Sequence, residues 1–80
     1  MTKKDKIIQK YISNPESIKY KELKIILEDA WFIKIEAKWS HVKFKHPRLR
    51  NDIIIPVHNW ECKDFYKKQT YKILTNNSLI

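Results

Sequence analysis

The chain reads as one α+β domain in the order α-α-β-β-β-α, a three-stranded antiparallel sheet with helices packed on one face. Three observations carry that reading. Two apolar stripes at helical spacing come first, three stretches of period-two alternation follow, and a third helical stripe closes the sequence. Eighty residues make a single domain. With 42% hydrophobic residues, one core takes nearly all the apolar side chains and leaves little for a deep small-molecule pocket.

The first helix spans Lys3–Ser13, with Thr2 as its N-cap and Ile7, Ile8, Tyr11 and Ile12 on one stripe. Asn14-Pro15 ends it, because a residue before proline avoids the helical region. A second helix over Tyr20–Asp29 buries Leu23, Ile26, Leu27 and Ala30 at i, i+3, i+4, i+7. Residues 31–38 then switch period: Ile33, Ile35 and Ala37 form the buried side of a strand, and Lys34, Glu36 and Lys38 the other. In residues 41–46, Val42, Phe44 and His46 share one face, and His41, Lys43 and Lys45 the opposite one. A turn carrying Arg48 and Arg50 leads into a third strand, 53–57, where Pro56 marks an edge or a strand end. The last helix, Asp64–Asn76, turns Tyr66, Thr70, Ile73 and Leu74 inward, with Lys63, Lys67, Lys68 and Lys72 mostly outside. Those lysines read equally as a solvated face or as phosphate contacts. Trp31 and Trp60 read as core. The chain has no glycine, so any turn with positive φ falls on Asn, Asp or a strained residue.

A single core fixes the register of the second hairpin. Val42 and Phe44 must share a face with Ile53, Ile55 and Val57, so opposed residue numbers sum to an odd value, 99 or 97. Either register predicts His58 as a same-face neighbour of His41.

Seventeen Lys and Arg stand against nine Asp and Glu, a formal charge of +8. That excess favours nucleic acid, an anionic membrane or an acidic protein as partner, and points first to RNA. Fifteen of the basic residues are lysines in an isoleucine-rich chain, a bias that an AT-rich genome also produces. The N-terminal residues do not read as a signal peptide, and the longest apolar run falls far short of the ~20 residues that span a bilayer. The expectation is a cytoplasmic protein without a membrane association. Cys62 is the sole cysteine and reads as a small, partly buried side chain. His41, His46, His58 and Cys62 lack metal-ligand spacing, so neither a metal site nor a small-molecule cofactor is expected.

The run Ser40-His41-Val42-Lys43-Phe44-Lys45-His46-Pro47 is the richest in chemistry, an imidazole and two ammonium groups on one strand face. Ser40-His41-x-x-Phe44-Lys45-His46-Pro47, then Ile55-Pro56-x-His58, then a basic terminal helix, resembles the HicA family of toxins from HicA–HicB toxin–antitoxin modules. Asn14-Pro15 and Tyr20-Lys21-Glu22-Leu23 match its longer members, so the resemblance covers nearly the whole chain, 1–80. It implies a fold like a double-stranded-RNA-binding domain, mRNA cleavage without a metal, His41 as the essential residue, and neutralisation by a HicB-like antitoxin over the active face. In that chemistry His41 takes the proton of a ribose 2′-OH, and Lys43 and Lys45 offset charge on the phosphorane. His58 and Lys43 are auxiliary candidates, with RNA contacts from Lys38, Ser40, Lys43, Lys45, Arg48 and Arg50. Two positions depart from the family pattern: Trp39 stands where it has the glycine before Ser-His, and Ala30 where it has a helix-ending glycine. Two alternatives remain, a non-catalytic RNA-binding module on the same fold and a basic protein-interaction domain.

Overall fold

The computed structural model describes residues 2–38 and 40–80. Helix α1 (Lys3–Ser13), a 3-10 turn (Pro15–Ser17) and helix α2 (Tyr20–Asp29) precede strands β1 (Ile33–Glu36), β2 (His41–Lys45) and β3 (Ile53–Pro56), and helix α3 (Asp64–Asn76) follows. The sheet is antiparallel in the order β1-β2-β3, so the fold is α+β in the expected sequence of elements.

Local chemistry accounts for the helix ends. At α1 the Thr2 hydroxyl accepts the Asp5 N–H while the Asp5 carboxylate accepts the Thr2 N–H, a reciprocal capping box. Asn14 is extended and turns the chain into Pro15. In α2 and α3 a left-handed residue follows the last turn. Trp31 (φ 72°) sits one residue past the α2 cap, and the Phe32 N–H reaches back to the Leu27 carbonyl at 3.0 Å. Ser78 (φ 56°) plays the same part after α3, with the Leu79 N–H on the Leu74 carbonyl at 2.8 Å. Both are Schellman closures, a motif that usually places glycine at the left-handed residue. The missing helix-ending glycine therefore falls at Trp31 rather than at Ala30.

This closure decides the parity of β1 and overturns one expectation. Phe32 is pulled into the core and packs on His46, ring centroids 4.8 Å apart. Alternation then turns Lys34 and Glu36 toward the helical side and Ile33 and Ile35 outward. Lys34 stands opposite the fully buried Phe44, half-buried and paired with Glu36 at 3.5 Å. Ile33 and Ile35 are exposed (64% and 40%), not the buried side of the strand.

Between β2 and β3 the register sums to 97: Val42 faces Ile55 and Phe44 faces Ile53. Phe44, Ile53 and Ile55 join Ile7, Tyr11, Leu23, Leu27 and Leu74 in one core, the helices covering this face of the sheet. Pro56 ends the edge strand β3, where its missing N–H breaks no ladder bond. Tyr11 ties the two ends of the chain together, its hydroxyl donating to the Lys67 carbonyl at 2.7 Å. Tyr20 is buried as well, but its hydroxyl has no partner among the described residues.

Two substitutions test this account by thermal unfolding. Trp31→Gly removes the Cβ strain of a left-handed residue and should raise stability by about 0.5–1 kcal/mol, a shift of a few degrees in Tm. Tyr20→Phe removes a buried, unpaired hydroxyl and should be neutral or stabilising by up to about 1 kcal/mol.

Candidate nucleic-acid interface

The sheet face turned away from the helices presents His41, Lys43 and Lys45 from β2, Ile33 and Ile35 from β1, and Ile54 and Pro56 from β3. Register sets these side chains in rows. Lys43 stands between Ile35 and Ile54, and Lys45 stands beside Ile33. The alkyl stem of Lys43 covers its isoleucine neighbours, which accounts for its being half-buried while Lys45 is exposed. The face is thus basic and apolar together, rather than basic alone.

His41 opens β2 and is exposed. Its carbonyl accepts the Ala37 N–H at 3.0 Å, closing the β1–β2 turn, and the Ser40 carbonyl accepts the Val57 N–H at 2.7 Å. Ser40 is thereby fixed beside His41. Trp39, between Lys38 and Ser40, lies outside the described residues, as does its effect on the turn. Ser40 and His41 line one shallow depression with Glu36, Val42, Asn59 and Trp60.

The remaining candidates are spread along the sheet. Lys38 is exposed in the β1–β2 turn. Four residues of strand put the Cα of Lys45 roughly 13 Å from that of His41. Arg48 and Arg50 are exposed beyond that far end, Arg48 in a separate hollow with Trp31 and Pro47. His46 is half-buried, its Nδ1 accepting the Arg48 N–H at 3.1 Å.

His58 does not share the His41 depression. It lies past the end of β3 in a single bridge with Glu61 and lines a different hollow with Pro56, Cys62, Lys63 and Tyr66. β3 stops at Pro56 because the chain reverses immediately in a tight hairpin. The His58 and Glu61 backbones exchange both hydrogen bonds, at 2.8 and 2.9 Å. Asn59 (φ 51°) and Trp60 (φ 64°) are its two left-handed central residues, the arrangement that favours Asn-Gly. A tryptophan there carries strain of about 1–2 kcal/mol.

Trp60 is 84% exposed and Trp31 83%, so the expectation that both belong to the core is incorrect. Each sits at a left-handed position on the outside of a tight turn, where its side chain leaves the protein body. Position, not hydrophobicity, decides their exposure. The only sequence signal was the missing glycine after a helix in one case and Asn before Trp in the other.

Glu61 holds this region in place. One carboxylate oxygen, Oε1, accepts the Tyr20 N–H at 3.1 Å, the Cys62 N–H at 3.0 Å and the Lys67 ammonium at 3.1 Å. Lys19, at the α2 N-cap, offers no acceptor, so a carboxylate 41 residues away satisfies the first amide of that helix. Partial burial raises the Glu61 pKa, but the donors from Cys62, Lys67 and Tyr20 outweigh it and hold it below the ordinary 4.5. The same pairing corrects the expectation for Lys67. It is buried, not on the outer face of α3, because its ammonium lies between Glu61 and Asp64 (3.1 and 3.6 Å). Lys68 pairs with Glu16, while Lys63 and Lys72 are exposed. Cys62 is buried, and burial is the main cause that pushes its thiol up to about 11, a value that keeps it protonated near neutrality.

Among the described residues, no three His, Cys, Asp or Glu side chains converge as a metal-binding group, and no helix is long and apolar enough to cross a membrane. Compared with known proteins, the chain matches no family model, no curated protein and no solved structure.

Glu61→Gln should destabilise the fold at pH 7 by about 1–3 kcal/mol, towards the lower end because the carboxylate is half-exposed. A carboxyl with a lowered folded pKa stabilises fully above its unfolded value. Its contribution fades as pH falls through the folded value. Urea unfolding should therefore show the gap between wild type and variant narrowing below pH 4.5.

Proposed function

We propose that this chain is a small RNA-cleaving domain of the HicA toxin kind, with His41 as its proton-transfer residue and no metal requirement. One observation carries the reading: an exposed imidazole, fixed beside Ser40, begins a strand whose outward face continues with Lys43 and Lys45. The element order of α2, the three strands and α3 is that of a double-stranded-RNA-binding domain, and the formal charge of +8 suits a polyanion.

The chemistry is transesterification within the RNA. His41 removes the 2′-OH proton, the 2′-oxygen attacks the adjacent phosphorus, and the bond to the 5′-oxygen breaks as that oxygen takes a proton from water. The products are a 2′,3′-cyclic phosphate and a free 5′-OH. Lys43, with its stem held between Ile35 and Ile54, presents its ammonium to the pentacoordinate phosphate, and Lys45 draws in the neighbouring one. Ile33, Ile35 and Ile54, exposed among these lysines, suit the second partner of this reading, a HicB-like antitoxin with an apolar strip flanked by carboxylates.

A second reading, RNA binding without cleavage, is favoured by the lining of the depression, which includes His41 but not His58, so no second imidazole lines it to protonate the leaving oxygen. Incubation of wild type and His41→Ala with a long single-stranded RNA in EDTA separates the two. Cleavage with cyclic-phosphate ends that falls at least about 100-fold in the variant is the expected result. Intact RNA with both proteins, alongside salt-sensitive binding, would select the second reading.

A further inference from the structure

The strained, exposed tryptophan at the rim of the His41 depression has no role in the fold. Trp60 is 84% exposed, packs in no core cluster, and stands at a left-handed position in a chain without glycine. Trp31 is equally strained and exposed; what sets Trp60 apart is its place in the hollow with Ser40 and His41. The turn that carries it is tied on both sides. The His58–Glu61 bridge closes it, and the Glu61 carboxylate anchors it to α2 and α3. An indole held outward on this turn, in the same hollow as Ser40 and His41, offers a flat apolar surface for stacking.

The geometry points to Trp60 as the residue that stacks on an unpaired nucleobase next to the phosphate addressed by His41, making single-stranded RNA the substrate class. This inference rests on the RNA reading and deepens it. Glu36, turned to the helical side, also lines the depression, and its exposed carboxylate pairs with Lys34. A carboxylate repels phosphate, so the nucleic-acid backbone keeps to the Lys43 and Lys45 face, and a base that reaches Trp60 turns over the end of the sheet. Base stacking on an aromatic side chain tolerates any base, so Trp60 supplies preference for unpaired over paired RNA rather than for a sequence.

The test uses the full chain and two labelled 2′-O-methyl decamers, which cannot be cleaved: an oligouridine and an abasic strand with the same number of phosphates. Wild type should bind the uridine strand more tightly. Trp60→Gly should weaken uridine binding by about 5- to 100-fold, leave abasic binding and the salt dependence unchanged, and melt no lower than wild type. Trp60→Phe should retain most of the affinity. Trp31→Gly, the same exchange at the other strained tryptophan, should bind as wild type does. Equal uridine binding by wild type and Trp60→Gly, or equal loss on both strands, would overturn the stacking role and leave the RNA reading standing. Failure of wild type to bind either strand would overturn both.

Discussion

The arrangement of this small domain depends on one carboxylate. Glu61 joins parts that are far apart in sequence: the first amide of α2, the hairpin after β3, and the buried Lys67 on α3. Without it, three demands are left open at once. A helix N-terminus loses its acceptor, a turn with two left-handed residues loses its anchor, and a buried ammonium is left with Asp64 alone. Such groups are far more harmful unpaired than they are favourable paired, so this node acts by preventing a loss. It also sets the position of the depression that holds His41, because one wall of that depression is the hairpin Glu61 closes.

The helices were legible in the sequence because their signals are local. Thr2, Asn14-Pro15 and the i, i+3, i+4 stripes determine starts, stops and faces without reference to the rest of the chain. The β2–β3 register was legible for a different reason. Five aliphatic and aromatic side chains on two strands have only one parity that buries them together, and the strands pair with that parity. β1 was not legible from its own alternation. Ile33, Ile35 and Ala37 outnumber the apolar residues of the other parity, yet Phe32 prevails because the end of α2 delivers it inward. A tertiary constraint one residue before the strand outweighed the pattern within it.

The candidate site was legible in part. Strand parity placed His41, Lys43 and Lys45 on the face away from the helices, and sequence adjacency put Ser40 next to His41. Trp60 was missed because hydrophobicity argues for burial and only backbone geometry argues against it. The β2–β3 register is one of the two expected, but the strand ends at Pro56, and His58 lines a hollow of its own with Pro56 and Cys62. Lys67 was placed outside by its charge, whereas its burial is made tolerable by Asp64 one turn earlier on α3 and by Glu61 in the hairpin before it. For Lys67 and for β1 the deciding contacts, with Glu61 and with the end of α2, lay outside the window in which the pattern was read.

The bond from the Tyr11 hydroxyl to the Lys67 carbonyl joins residues 56 positions apart, and it lies in the interior. Helix α1 packs on α2 and the 3-10 turn, and the Tyr11 bond adds α3 to the same core. During synthesis, α1, α2 and the sheet emerge before α3, which adds Leu74 to their core. The His41 face is set by the same core, so it is complete only once α3 has docked. Whatever this face acts on, a chain still lacking α3 does not hold it in place, so its activity depends on a helix that contributes no residue to it.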